Sequence, residues 1–217
     1  MRILVTGAAG FLGSHIAVEA ARRGFDVIGV DSLVRSRRWC QSLLEREEIS
    51  LITMDTANPR LPEKTGKVDW VVHAAAFIDV EESTRIPELY SDNNVTKTVA
   101  LAHRFFKKYR SRFLYISSAA VYGEPRYLPI DEEHPVDPVN PYGASKAAAE
   151  LLLKSMARSL QGFLYTVARP FNMYGPGQGG GGYAGVITKF IERMMRGEPP
   201  EIYGDGWQVR DFLYLSY

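Results

Sequence analysis

The strongest constraint on the fold lies at the start of the chain. Arg2–Thr6 is a short β-branched apolar run, and Gly7-Ala8-Ala9-Gly10-Phe11-Leu12-Gly13 follows it directly, opening the helical pattern Phe11–Arg23. A strand, a glycine turn and a helix in that order leave few architectures open. The first glycine permits the tight bend, the second lets backbone approach a pyrophosphate, and the third lets helix and strand pack closely. The helix N-terminus then offers unpaired N–H groups and a partial positive charge to phosphate oxygens. The spacing is G-x-x-G-x-x-G rather than G-x-G-x-x-G.

The remaining chain repeats the rhythm. Further strands are predicted at Asp26–Val30, Ser50–Met54, Trp70–Ala74, Arg112–Ile116 and Phe163–Ala168, with helices at Arg38–Glu47, Pro87–Tyr109 and Pro141–Leu160. Several strands are apolar throughout, which suits a parallel sheet covered on both faces. The alternation predicts an α/β fold with a doubly wound parallel sheet, a Rossmann fold. A chain of 217 residues, 46% of them apolar, buries enough surface to need no metal or disulfide staple.

Composition removes several function classes. With 26 basic and 25 acidic side chains, there is no electrostatic footprint for nucleic acid or for an anionic membrane. No apolar run approaches the roughly 20 residues of a membrane span, and the start is too short in apolar residues for a signal peptide. Cys40 is the single cysteine, so a reducing compartment fits, and no histidine stands near it in sequence to activate the thiol. The chain reads as cytoplasmic. The four histidines (His15, His73, His103 and His134) share no ligand spacing, so no metal site is predicted. His73, at the end of a strand, reads as a buried, hydrogen-bonded residue.

Two helices carry more apolar surface than one sheet face needs. Ala147, Ala148, Ala149, Leu151, Leu152, Leu153 and Met156 wrap around most of the later helix, while Tyr90, Val95, Val99, Phe105 and Phe106 occupy more than one face of the earlier one. A helix apolar on nearly all sides must be covered on nearly all sides. Both helices, 87–109 and 141–160, are therefore expected to pack against a second subunit in a homodimer.

Asp31 ends the second strand about 20 residues after the glycine turn, where a carboxylate can accept hydrogen bonds from the adenosine ribose. It would repel a 2′-phosphate, favouring NAD over NADP. Arg35, Arg37 and Arg38 follow closely and could pair with such a phosphate, but read first as a solvated basic loop. Asp131-Glu132-Glu133 likewise reads as a solvated loop.

Tyr142-Gly143-Ala144-Ser145-Lys146 opens the later helix, which Asn140 can cap and Pro141 can start. A four-residue spacing puts Tyr142 and Lys146 one turn apart on one face. An ammonium there would stabilise a phenolate and lower the tyrosine pKa toward a useful range. Phe113-Leu114-Tyr115-Ile116-Ser117-Ser118 reads as a strand ending in hydroxyls. In an open α/β sheet, ligands lie beyond the strand carboxyl ends, so those hydroxyls share a crevice with the glycine turn. Ser118 could bond a substrate hydroxyl and relay its proton to Tyr142.

The glycine turn, Ser117–Gly123, the Tyr142/Lys146 pair and Arg169-Pro170-Phe171-Asn172-Met173-Tyr174-Gly175-Pro176 together resemble the extended short-chain dehydrogenase/reductase family, and within it the nucleotide-sugar epimerases. The resemblance spans essentially the whole chain. It implies NAD as cofactor: Gly7, Gly10, Phe11, Leu12 and Gly13 would meet the pyrophosphate and Asp31 the adenosine ribose. Asp55 and Thr56 would lie near the adenine, and Ala74 and Ala75 near the central phosphates and ribose. Asn94 would hold backbone beside the cofactor, Tyr142 and Lys146 would bind the nicotinamide ribose, and Pro170 would lie by the nicotinamide. Ser118, Tyr142 and Lys146 would be catalytic. Ser118 and Tyr142 would also touch substrate, while Asn172 and Arg210 (the latter in Gly204-Asp205-Gly206-Trp207-Gln208-Val209-Arg210-Asp211-Phe212) would hold its diphosphate.

The implied reaction inverts C4 of a nucleotide sugar, UDP-galactose and UDP-glucose foremost, through a transient 4-keto intermediate. Related dehydratases carry acidic residues just after the strand hydroxyls, where this chain has Ala119 and Ala120. A 4-reductase using NADPH is the neighbouring alternative, and Asp31 argues against it. Gly177–Gly182, followed by Tyr183, could order as a lid over the substrate. Relatives run further than Leu213-Tyr214-Leu215-Ser216-Tyr217, so the expected organisation is a dinucleotide-binding domain over 1–169 and an incomplete C-terminal substrate lobe over 170–217. That raises a further alternative, an NAD-binding fragment without turnover.

Overall fold

The computed structural model describes residues 1–179 and 185–215. Its elements run β1 (Arg2–Thr6), α1 (Phe11–Arg22), β2 (Asp26–Asp31), α2 (Arg38–Arg46), β3 (Ser50–Thr53), α3 (Leu61–Thr65), β4 (Trp70–His73), α4 (Val80–Arg85) and α5 (Pro87–Tyr90). A π-helical segment, Ser91–Thr96, leads into α6 (Lys97–Tyr109), β5 (Arg112–Ile116) and a 3-10 turn, Ala119–Val121. Then come α7 (Pro141–Ser159), β6 (Tyr165–Ala168), β7 (Asn172–Tyr174), α8 (Val186–Met195) and β8 (Phe212–Tyr214).

Six strands form one parallel sheet in the order β3-β2-β1-β4-β5-β6, the doubly wound arrangement the sequence predicts. The chain winds outward through β2 and β3, returns to lay β4 beside β1, and winds outward again through β5 and β6. The switch therefore falls between β1 and β4, where Thr6 pairs with His73. Beyond the carboxyl ends of these strands lies the crevice in which such sheets bind ligands. β7 and β8 make a separate two-stranded parallel pair, with Asn172 opposite Phe212.

Alternation along the strands divides the core. Leu4, Val71, Phe113 and Tyr115 point to one face, where Leu101 and Phe105 of α6 and Leu153 of α7 cover them. Ile3, Val5 and Val72 point to the other, against Ala17 and Val18 of α1 and Leu43 and Leu44 of α2. The predicted strand at Phe163–Ala168 begins later because Phe163 leaves the ladder to pack on Phe106, ring centroids 5.3 Å apart. The helix expected over Pro87–Tyr109 is interrupted by the π segment, where one extra residue per turn re-aims Asn94. α3, α4, β7 and β8 are too short to carry a periodic signal, whereas α8 carries one the sequence reading leaves out, with Val186, Phe190, Ile191, Met194 and Met195 at helical spacing.

The structure also revises the reading of the apolar helices. Tyr90, Phe105 and Phe106 are buried within this chain, and Val95 and Val99 are half-buried. The excess apolar surface is on α7, where Leu151 and Leu152 are exposed while Leu153 is buried. Among the described residues, no helix is long and apolar enough to cross a membrane.

His73 is buried and fully paired, as its position suggested. Thr98 gives its hydroxyl proton to Asn94 O (2.7 Å), so it must accept from His73 Nε2 (2.8 Å), and His73 Nδ1 accepts from Thr6 Oγ1 (2.6 Å). Burial first, and the Lys146 charge second, push its pKa down to about 3. Below pH 6.5 the unfolded chain takes up a proton that the native imidazole refuses, so falling pH favours unfolding. Native stability should drop by about 1.4 kcal/mol per pH unit from this residue between pH 6.5 and 3. Unfolding free energies from urea denaturation should fall less steeply with decreasing pH in His73→Asn than in the wild type, by about that slope; identical slopes would mean the imidazole is not held neutral.

Candidate active site

The glycine turn sits at the switch point. Gly7 has φ +68°, and a Cβ there would lie 2.7 Å from Ala75 N at the end of β4. A Cβ on Gly13 would lie 2.0 Å from Gly7 O, so α1 can approach the turn only without one. Asp31 braces the turn from β2: its Oδ2 accepts from Ala9 N (3.0 Å) and its Oδ1 from Leu33 N (2.8 Å). Burial raises its carboxyl above the ordinary value, against the pull of those two N–H groups. Asp31, Asp55, Thr56, Ala74, Ala75, Gly7 and Gly10 line a cavity of about 110 Å³. Burial would raise the Asp55 carboxyl, but the Lys97 ammonium at 2.8 Å and the Ala57 N–H outweigh it and hold it below the usual range.

A second cavity of about 500 Å³ shares Gly7, Gly10 and Ala74 with the first and continues past α1. Phe11, Leu12, Gly13, Ser118, Tyr142, Lys146, Pro170 and Asn172 line it. A dinucleotide fits this arrangement: an elongated, two-part cleft with bare backbone at its waist and a carboxylate at one end. Asn94 stands behind the wall rather than in it. Its amide accepts from Phe77 N and donates to Phe77 O, each at 2.9 Å, and also donates to Ser145 Oγ at 3.1 Å. That holds the backbone of Phe77, which lines the smaller cavity.

The catalytic end is built by local sequence. Asn140 Oδ1 caps α7 through Gly143 N (2.8 Å), and Pro141 starts it. Gly143 lies so close to the 3-10 turn that a Cβ would meet Ala120 O at 2.5 Å. This packing brings Tyr142 beside Ser118, and Ser83 Oγ accepts from Tyr142 N (3.1 Å). Burial pushes the phenol above its ordinary value, and the Ser118 hydroxyl pulls it back. The Lys146 side chain is buried and donates to Ile116 O (2.8 Å), 4.9 Å from the centre of the Tyr115 ring. Burial lowers its pKa to about 7, with the Glu150 carboxylate pulling upward. The expected lowering of the Tyr142 pKa by Lys146 is thus not seen: the amine is engaged with the Ile116 backbone, and burial of the phenol dominates.

Glu150, one turn beyond Lys146 on the same face, anchors a network that the sequence reading overlooked. It accepts from Ser117 Oγ and from Arg169, through Nη2 at 2.6 Å and Nε at 3.1 Å. Arg169 also donates to Tyr122 Oη (3.0 Å). The residues before Ser118 and before Pro170 are thereby tied to α7. The i, i+4, i+8 series Tyr142, Lys146, Glu150 was the available signal.

Other expectations divide. Arg38 pairs with Glu45 in solvent, whereas Arg35 is half-buried: it lines both cavities and is paired with Glu82. Arg37 lines the larger cavity. Asn172 donates to Asp211 O (2.8 Å), joining β7 to the approach of β8. Arg210 directly precedes Asp211, whose carbonyl Asn172 bonds; its side chain is exposed, donates to Val209 O (2.8 Å) and does not line the larger cavity. Of the glycine loop, Pro176 and Gly177 lie against the α1–α2 layer, through His15 Nε2 to Pro176 O (2.9 Å) and Cys40 Sγ to Gly177 O (3.9 Å). Gly180, Gly181, Gly182 and Tyr183 lie outside the described residues.

Residues 3–216 match the NAD dependent epimerase/dehydratase family. A UDP-glucose 4-epimerase of Mycolicibacterium smegmatis is 35% identical over 222 residues, covering all of this chain and 70% of its own length. The crystal structure of UDP-glucose 4-epimerase with UDP-glucose from Thermotoga maritima superposes with a TM-score of 0.90 at 34% identity, over 99% of this chain and 70% of that one. UDP-glucuronic acid 4-epimerase from Bacillus cereus, in complex with UDP-glucuronic acid and NAD, gives a TM-score of 0.87 at 30% identity over 99% of this chain and 69% of that one. This chain spans about 70% of the length of such relatives.

Proposed function

The chain belongs to the NAD-dependent epimerase/dehydratase family, and from that premise we propose that it inverts C4 of a UDP-hexose, with UDP-galactose and UDP-glucose as the pair. The observation that carries this reading is the opening of Tyr142, Lys146 and Ser118 into the same cleft as the Gly7–Gly13 turn. When bound, NAD supplies a reversible acceptor for the C4 hydrogen and a cationic ring beside Tyr142. The Tyr142 oxygen takes the proton of the sugar C4 hydroxyl, directly or through Ser118, and returns it once the 4-keto sugar has presented its other face. Lys146 orients the nicotinamide ribose. Asn172 supports the sugar-nucleotide end. Asp31, meeting the adenosine ribose with its carboxylate, favours NAD over NADP.

On this reading residues 1–169 hold the dinucleotide and 170–217 contribute to the sugar-nucleotide side. The exposed Leu151–Leu152 stretch of α7 supports a homodimer through that helix, and the single buried cysteine suits the cytoplasm. Purified protein mixed with UDP-galactose should yield UDP-glucose without added NADPH, and denaturing it should release NAD. Sugar reduction that consumes NADPH would favour the reductase reading. Released NAD with no sugar conversion would overturn the proposed activity.

A further inference from the structure

Arg35 stands at the seam between the two cavities, and its charge is already engaged. The guanidinium donates to Glu82 Oε2 through Nη1 (2.7 Å) and to Oε1 through Nη2 (3.0 Å), a fork-on-fork pair that joins the β2–α2 loop to α4. Its carbon lies 3.7 Å from the centre of the Phe77 ring. From below, the buried Tyr90 donates its hydroxyl to Glu82 Oε2 (2.7 Å), so the carboxylate is pinned in place. Asp31, Ser32 and Arg35 line the same small cavity, the end assigned to the adenosine, whereas Arg37 lines only the larger one.

We propose that Glu82 is a specificity-determining residue for the dinucleotide: by neutralising Arg35 it denies a 2′-phosphate on the adenosine ribose its counter-charge. The inference rests on the NAD reading above. An arginine fork binds phosphate oxygens bidentately, and a guanidinium this close to the ribose carboxylate would otherwise be well placed to do so. Here a 2′-phosphate would have to displace Glu82, leaving that carboxylate unpaired beside a second anion. Asp31 repels the phosphate, and Glu82 withholds the compensation. The loop arginines that look in sequence like an opening for NADP are thus closed by a residue on a different element.

The test uses nucleotide-stripped protein titrated with NAD and with NADP by calorimetry. Wild type should prefer NAD. Glu82→Gln keeps the shape and an acceptor for Tyr90 but removes the charge; it should bind NADP at least about tenfold more tightly than wild type, with NAD changed less than about threefold. Adding Arg35→Ala to that variant should abolish the gain. If Glu82→Gln does not fold, Glu82→Ala should move NADP affinity in the same direction. Unchanged NADP affinity alongside normal NAD binding would overturn the role of Glu82 alone, as would a gain that survives loss of Arg35. Failure of the wild type to bind NAD would overturn the reading beneath it, and this inference with it.

Discussion

Tyr142→Phe is expected to lower the rate of C4 epimerisation by roughly a thousandfold, the scale of a lost general acid–base group, while leaving bound NAD nearly unchanged. The ring is buried beside Ser118 at the start of a helix capped by Asn140, so phenylalanine fills the same space and the cleft keeps its shape. What disappears is a single oxygen. Its proton is held tightly, because burial raises the phenol and Ser118 only partly opposes it. The deprotonated form is therefore favoured only once a cation stands beside it. The loss should fall on kcat rather than KM, since the sugar nucleotide's other contacts are untouched. Measured by conversion of UDP-galactose together with NAD released on denaturation, retention of more than about a tenth of the rate would remove Tyr142 from the proton transfer.

How much of this was legible beforehand follows the distance between partners in sequence. The Gly7–Gly13 turn, Asp31 and the Tyr142/Lys146 spacing are local patterns with local causes, and their residues line the cleft. The doubly wound sheet followed from alternating strands and helices, since few ways exist to cover both faces of a parallel sheet. Contacts between distant segments were not visible. Arg35 and Glu82 lie on different elements, so the arginine loop looked solvated when its first member was locked. The π segment, Ser-Asp-Asn-Asn-Val-Thr, is made of weak helix formers, but apolar residues on both sides keep helical spacing, so the predicted helix runs straight through it. Tyr90, Phe105 and Phe106 looked like excess apolar surface because a helical wheel cannot show how deeply one helix sinks among its own neighbours. Arg210 matched a motif, yet the segment carrying it faces solvent.

Lys146→Met should have the opposite effects on activity and on stability. The ammonium lies among strand ends and the Tyr115 ring and donates to Ile116 O, and its pKa falls to about 7 from an unfolded value of 10.5. Below pH 7 both native and unfolded chains carry the proton, and the native state bears the full cost of burying it. Between pH 7 and 10.5 the unfolded chain stays protonated while the native amine does not, so wild-type stability climbs by up to about 1.4 kcal/mol per pH unit; above 10.5 the cost is gone. Methionine fills the space with no charge, though it leaves the Ile116 carbonyl short of a donor, a loss of roughly 1–3 kcal/mol. The variant should therefore be more stable than wild type at pH 6–7, by roughly 1–3 kcal/mol, and the difference should shrink and then reverse toward pH 10.5. Epimerisation should fall at least about a hundredfold over the same range. Urea denaturation at pH 6, 8 and 10 alongside the UDP-galactose assay separates the possibilities. A variant that is destabilised at pH 6 would make Lys146 a structural residue, whereas one that gains stability and loses turnover has lost a group kept against the fold's own preference.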